Sequence, residues 1–352
     1  MTPLDHAADQ PLAVRFQALM AAEPNLRRRD AATKLGASEA ALIAAPLPGQ
    51  DTTRLKTDWS ALFSAFPTLG EVMCLTRNEH CVHEKTGPFE RVEVGPHVGL
   101  VLGEQIDLRV FPSAWKFGFA VEQETERGPQ RSLQFFDGAG GALFKLYAKP
   151  ATNLDAWAAL IENFKDADAG EPVFGALPAP AAAKPDSEID VDGFRAAWDG
   201  MKDTHEFFGM LKKFGVERVQ ALRLAGLERA RPVALDSIKT ILQQSADSGQ
   251  SIMVFVGNNG MIQIHTGPVH KLVEMGPWYN VLDPDFNLHL LTGGIDSAWA
   301  VRKPTSDGDV TSLELFDAKG GTIAMLFGAR KPGKPEDTSW RALVTALPTV
   351  AN

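Results

Sequence analysis

Residues Arg131-Ser-Leu-Gln-Phe-Phe-Asp137 return 180 residues later as Thr311-Ser-Leu-Glu-Leu-Phe-Asp317. Each stretch is followed by a Gly-Gly pair and an apolar, strand-like run, so the repeated object is a structural unit rather than a chance heptad. The same offset relates Thr86-Gly-Pro88 to Thr266-Gly-Pro268, Asn78 to Asn258, Leu108 to Leu288, and the Ala-Val pair ending at Val121 to the one ending at Val301. One accidental match cannot generate all of these, and the chain reads as a tandem duplication.

Between the copies lies EPVFGALPAPAAAKPDS, Glu171 to Ser187, whose Pro and Ala content cannot sustain a sheet and favours an extended linker. The expected organisation is a first repeat over 1–170, a linker over 171–187 and a second repeat over 188–352. A length of 352 residues suits two domains, each able to bury a core. With 44% hydrophobic and 22% charged residues, neither disorder nor a fibrous class is favoured.

Each copy opens with apolar residues at three and four spacings, over Val14 to Ala45 and Phe194 to Leu227, which predicts helices. Strands follow: Ser251 to His265, His97 to Leu102 and Ser312 to Phe316 are short, partly alternating runs punctuated by Gly, Asn, Asp or Pro. Helices at one end of a meander predict an α+β fold, each half a large antiparallel sheet with helices packed at one side.

Several function classes are disfavoured. No G-x-G-x-x-G follows a strand and no phosphate-binding G-x-x-x-x-G-K-[ST] occurs. A net charge of -9 opposes nucleic acid and anionic lipid as partners. The opening MTPLDHAADQ lacks a secretory signal, and no run approaches the ~18 apolar residues of a membrane span, so a cytoplasmic location without stable membrane association is expected. Cys74 and Cys81 are expected to be free thiols; with His80 and His83 they suggest zinc only weakly, because C-x6-C fits no compact zinc motif. Residues 27–45 look like a helix-turn-helix, but LKKFGVERVQALRLA in the second copy marks them as the shared helical opening of each repeat.

Duplicated domains share core residues, so a reactive group present in one copy only is the better pointer to chemistry. His205, in Trp198-Asp-Gly-Met-Lys-Asp-Thr-His205-Glu-Phe-Phe208, has no histidine opposite it near Asn25. A neutral imidazole is a good ligand for haem iron, and Phe207, Phe208 and Met210 would wall a porphyrin face. A helix-capping or solvent-facing histidine is the simpler alternative. Arg109 is the counterpart of His289; a guanidinium inside an apolar strand needs a partner, either a bound oxygen ligand or carboxylate, or simply Asp107. Arg218, Lys303 and Arg330 are dispersed cations that suit haem carboxylates or mere solvation.

Taken together, Arg-Asp-Ala-Ala at 29–32, Met73 to Asn78, Val82 to Lys85, His97 to Glu104, Asp107 to Arg109, Arg131 to Asp137, Asp203 to Phe208, Asp283 to His289, Val301 to Thr305 and Thr311 to Phe316 resemble the bacterial haemin-degrading or haem-trafficking proteins of the HemS, ChuS and PhuS kind. The resemblance covers nearly the whole chain. It implies one haem, of the b type, in a cleft between the copies, as ligand and possible substrate. His205 then matches the proximal iron ligand, and Arg109 the arginine on the opposite haem face with a distal catalytic role. Arg218, Lys303 and Arg330 match positions that contact propionates or line the pocket, and Met253 and Phe255 positions that pack against the porphyrin. Met325 and Phe327 depart from relatives carrying Gln and Tyr, which reduces hydrogen bonding on that side. The resemblance implies a role in haem uptake and iron acquisition, either as a haem-degrading enzyme with an external reductase or as a non-catalytic carrier delivering haem to a separate haem oxygenase.

Overall fold

The computed structural model describes residues 10–178, 182–330 and 333–350. The first nine residues, where no secretory signal was read, and 179–181 of the linker lie outside the described residues. The chain divides into two compact units that are not two uninterrupted blocks. Unit 1 comprises residues up to Thr76, Thr86–Pro178 and Asn258–Met261; unit 2 comprises Arg77–Lys85, residues 179–257 and Ile262 onward.

The first repeat forms helices α1 (Leu12–Ala22), α2 (Arg28–Lys34) and α3 (Glu39–Ala44), strand β1 (Gln50–Leu55), helix α4 (Trp59–Ala65), and strands β2 (Gly70–Arg77), β3 (Cys81–Gly87), β4 (Arg91–Val94), β5 (Gly99–Leu102), β6 (Asp107–Val110), β7 (Phe117–Thr125), β8 (Gly128–Phe136) and β9 (Ala142–Thr152), closed by α5 (Leu154–Phe164). The second forms α6 (Val191–Asp199), α7 (Glu206–Phe214), α8 (Arg218–Ala225), β10 (Ala230–Val233), α9 (Ser237–Ser248), β11 (Ile252–Gly257), β12 (Met261–Gly267), β13 (Leu272–Met275), β14 (Trp278–Leu282), β15 (Phe286–Leu291), β16 (Ser297–Lys303), β17 (Val310–Phe316), β18 (Thr322–Gly328) and α10 (Thr338–Ala346). The strands form two antiparallel nine-stranded sheets, ordered β1-β7-β8-β9-β2-β3-β15-β14-β13 and β10-β16-β17-β18-β11-β12-β6-β5-β4.

The duplication extends to hydrogen-bond register. Val121 pairs with Ser132 and Leu133 with Leu146 in unit 1; Val301 pairs with Ser312 and Leu313 with Leu326 in unit 2. Even the irregularity recurs, between Phe135 and Phe136 and between Leu315 and Phe316. The aspartate that ends each motif makes the turn that follows. Asp137 Oδ1 accepts from the backbone N–H of Ala139 and Gly141, and Asp317 Oδ1 from Lys319 and Gly321. The left-handed φ of +80° at Gly140 and +76° at Gly320 is what makes glycine the residue there.

Unit 1 is built on aromatic side chains: Trp59, Phe63, Phe66, Trp115, Phe135 and Phe144 are buried together, with ring centroids 4.8–6.4 Å apart. Unit 2 has two cores. Aliphatic residues of α9 and the strands pack around Trp340 of α10. Helices α6–α8 set Phe194, Trp198 and Phe207 against Trp299, Val301 and Phe316 of β16 and β17. Within the linker the Phe174 ring meets Phe117 at 4.9 Å, and Gly175 N–H donates to Gly138 O.

Two asparagines fix the segment that each unit takes from the other repeat. In unit 2, Asn78 Oδ1 accepts from the N–H of His80 and Cys81 while its amide donates to the carbonyls of Gly257 and Ile323. In unit 1, Asn258 Oδ1 accepts from Gly260 and Met261 and its amide donates to Leu143 O, while Trp115 Nε1 donates to Gly260 O. Asn78 and Asn258 are the pair that the 180-residue offset relates.

Candidate functional site

Gly200 ends α6, and the chain turns through Asp203 before α7. Asp203 Oδ1 accepts the backbone N–H of His205 at 2.8 Å, the short-range bond an aspartate offers a turn. The same oxygen lies 2.6 Å from His205 Nδ1. His205 occupies the N-cap position of α7, yet its side chain makes no capping bond and is 88% exposed. Geometry therefore excludes the capping alternative, while the solvent-facing one agrees with the exposure of the ring, whose Nδ1 lies against the Asp203 carboxylate. Three contributions outweigh burial and hold the Asp203 carboxyl below the usual carboxylate range: the His205 N–H first, then the His205 ring, then the charge of Arg330.

Helix α7 is short and amphipathic, and left-handed Gly215 ends it. Phe207, Met210 and Leu211 face inward and are buried with Trp198. The expected porphyrin wall of Phe207, Phe208 and Met210 is thus corrected: helical spacing sends Phe207 and Met210 into the core and leaves only Phe208 outward, 66% exposed, with Lys212 Nζ 4.8 Å from its ring centre.

Strand alternation selects the remaining residues. On β11, Ile252, Val254 and Val256 enter the core, while Met253 and Phe255 lie half-buried on the opposite face. Register puts Met253 opposite Phe327 and Phe255 opposite Met325 of β18, and Glu314 of β17 opposite Met325. The Phe255 and Phe327 rings meet at 5.1 Å and 67°. Helices α6–α8 cover the β16 end of this face through Trp299 and Val301. The Met253, Phe255, Met325 and Phe327 end remains partly open, an apolar surface of the kind a flat macrocycle would take.

At the boundary between covered and open parts sits a charged cluster. Arg218, the first residue of α8, donates to Glu314 Oε2 from Nε at 3.0 Å and from Nη2 at 2.8 Å, and Nη2 also lies 3.0 Å from Met325 Sδ. Lys303 Nζ donates to Glu314 Oε1 at 2.6 Å, and Ser312 Oγ to the same oxygen at 2.9 Å. Both cations rest on the Phe207 ring, Lys303 at 4.5 Å and Arg218 at 5.2 Å from its centre. Burial alone would raise the fully buried Glu314 carboxyl, but Arg218 and then Lys303 bring it down to about 2. Burial lowers Lys303, and Glu314 opposes that.

Arg109 lies in unit 1 on β6, where Leu108 and Val110 are buried and Asp107 and Arg109 half-buried. Its guanidinium pairs with the Asp107 carboxylate and donates to Leu108 O. Burial raises the Asp107 carboxyl despite that arginine. His205, Phe208, Arg218, Met253, Phe255, Lys303, Met325, Phe327 and Arg330 all belong to unit 2, and Arg109 belongs to unit 1.

Cys74 is buried in the unit 1 core and Cys81 in that of unit 2, and burial raises both thiols. Among the described residues no group of three or more His, Cys, Asp and Glu side chains is arranged to hold a bare metal ion. No helix among them is long and apolar enough to cross a membrane. Asp203 and Glu314 were not singled out in the sequence. Both had a signal, an aspartate two residues before the histidine and a Gln-to-Glu change inside the repeated motif.

A model of the haemin-degrading HemS/ChuX domain matches residues 36–164 and again 215–347. The haemin transport protein HemS of Yersinia enterocolitica is 40% identical over 328 residues, 92% of this chain and 93% of its own length. The haem-binding protein PhuS of Pseudomonas aeruginosa, solved with haem, superposes with a TM-score of 0.93 at 47% identity, over 96% of this chain and 99% of PhuS. ChuS, an Escherichia coli haem oxygenase, superposes with a TM-score of 0.86 at 37% identity, over 95% and 98%. With the domain present twice along its length and relatives matched nearly end to end, the chain belongs to the haemin-degrading HemS/ChuX family.

Proposed function

We propose that this protein binds one haem, of the b type, through His205 and acts in the cytoplasm in haem uptake and iron acquisition. The observation that carries the reading is the Asp203–His205 pair. An acceptor at Nδ1 selects the tautomer protonated there and leaves the Nε2 lone pair for iron, while the carboxylate raises the ligand's basicity. The half-open Met253, Phe255, Met325 and Phe327 surface supports a macrocycle beside it, and burying such a ring contributes several kcal/mol at ~25 cal/mol per Å2 before ordering costs. Arg218, Lys303 and Arg330 supply cations for propionates. Arg109 takes the distal role that the resemblance gives it.

Bound haem would supply the redox chemistry, and the protein ligation, orientation and a shaped surface. This ligation serves oxidative opening of the macrocycle with an external reductase, or delivery of intact haem to a separate haem oxygenase. The relatives named for haemin transport and for haem oxygenase activity support both outcomes. The test is anaerobic loading with haemin followed by reductant and oxygen in the presence of catalase. A linear tetrapyrrole with released iron identifies an enzyme; haem that survives, and moves to an acceptor, identifies a carrier. A chain that takes up no haemin at all overturns the proposal.

A further inference from the structure

The two repeats set their charges differently on the matching face. At the 180-residue offset Glu314 corresponds to Gln134, Lys303 to Gln123 and Ser312 to Ser132, while Arg218, the first residue of α8, corresponds to Glu39, the first residue of α3. In unit 1 the Gln134 amide donates to Ser132 Oγ at 3.0 Å, where in unit 2 the Glu314 carboxylate accepts from Ser312. In unit 1 Lys145 of β9 stands at the Met325 position in a buried pair with Glu39, and Arg28 donates to Gln123 beside it. On that shared scaffold unit 1 sets Glu39 with Lys145 and Arg28, whereas unit 2 sets a cation, Arg218, at the helix start and the carboxylate, Glu314, on the strand, beside an apolar surface.

Resting on the haem-binding reading, we infer that Glu314 is a positioning residue: it fixes Arg218 and Lys303 at one end of the open face, so that the ligand's carboxylate end is directed there and its macrocycle toward Phe255 and Phe327. Three facts support it. Glu314 is wholly buried, so it is not itself a contact for ligand from solvent. Both its oxygens are used, one by the guanidinium from two nitrogens and the other by the ammonium and Ser312, which fixes both cations in direction. Of the two cations, Lys303 is buried like Glu314 and Arg218 is partly exposed, so an incoming carboxylate meets the guanidinium in the direction that Glu314 sets.

Glu314 also keeps Lys303 charged. The groups facing the ammonium are Glu314 from β17 and Arg218 from α8, with the Phe207 ring of α7 beneath it. Without the carboxylate, burial and the Arg218 charge both disfavour protonation. The consequence is a site whose preference for carboxylates becomes pH-dependent once Glu314 is neutralised.

The experiment is a Soret titration of the full-length protein and Glu314→Gln with ferric haemin and with haemin dimethyl ester, at pH 6.5 and pH 8.5. The native protein should prefer the diacid about tenfold or more at both pH values, the scale of one charge-assisted hydrogen bond. Glu314→Gln should lose most of that preference at pH 8.5 and regain part at pH 6.5, with affinity for the diester unchanged. Gln134 beside Ser132 in unit 1 is evidence that the motif accommodates glutamine. A second variant, Lys303→Gln/Glu314→Gln, copies the unit 1 pair and should lose the preference at both pH values. A Glu314→Gln protein that keeps the native preference at both pH values overturns the assignment. So does a native protein that binds acid and ester equally, which leaves haem binding standing; a native protein that binds neither removes the haem reading itself.

Discussion

Asp203 Oδ1 lies 2.6 Å from Nδ1 of His205 and accepts the backbone N–H of the same residue at 2.8 Å. One carboxylate oxygen thus fixes both the start of α7 and the direction of the imidazole. Outer partners of this kind are worth about 10–100-fold in metal affinity. Asp203→Asn should weaken haemin binding about tenfold while the Soret position stays that of a histidine complex. His205→Ala should weaken it more and move the Soret band. Absorbance titration checks both, and an unaltered spectrum and affinity in His205→Ala would remove His205 as ligand.

Arg109 is half-buried and alternates with the buried Leu108 and Val110, so its removal opens no hole in the core of unit 1. A residue in a distal role would act on small ligands that bound haem takes up rather than on retention of the macrocycle. Arg109→Ala should therefore change affinity for haemin by less than about fivefold, well under 1.4 kcal/mol, but displace the pH titration of the ferric spectrum. Superimposable titration curves from variant and native protein would count against any distal role.

The duplication was legible in the sequence because the features it copies are local: the Asp137 and Asp317 turns and their glycines, and the alternation that puts Leu133 and Leu313 in the core. His205 stood out because nothing matches it near Asn25. The exchange of residues 77–85 and 258–261 left no such mark. Two nearly equivalent asparagine turns present similar polar groups, and which unit takes each is decided by long-range packing that periodicity does not record. Glu314 was hidden for the opposite reason: it lies inside the motif that announced the repeat, so it was read as agreement rather than as a change of charge.

Those two asparagines give a stability test. Asn78 accepts two backbone N–H groups and donates to two carbonyls of unit 2. Asn78→Ala leaves several of these groups unpaired in a part-buried turn, at about 1–3 kcal/mol for each buried group left unsatisfied. A loss of about 2–4 kcal/mol in denaturant unfolding is expected by the same reckoning. An exposed amide such as Asn163→Ala should change stability by less than about 0.5 kcal/mol. If both variants unfold alike, the turn is not what anchors residues 77–85.

Acid should loosen unit 2 first. His83 is fully buried on β3, and His265 of β12 stacks on Phe286 at 3.8 Å and 2°. Lys85 Nζ, also buried, lies 3.3 Å from His265 Nδ1 and donates to Asp285 at 2.7 Å. Burial first, then the Lys85 charge, lowers His265 from 6.5 to about 4; burial, then His265 and Lys85, lowers His83 in the same direction. Below pH 6.5 the unfolded chain takes up protons that the folded chain refuses, so stability falls as pH drops from 6.5 toward 4, and His265 contributes no further loss below that. For His265 the interval amounts to roughly 3 kcal/mol at 1.36 kcal/mol per pH unit. His265→Phe keeps a ring on Phe286 without a titrating nitrogen, and urea unfolding at pH 7, 5.5 and 4.5 should show a shallower decline than in the native protein. Equal slopes in the two proteins would mean that other groups drive the acid response.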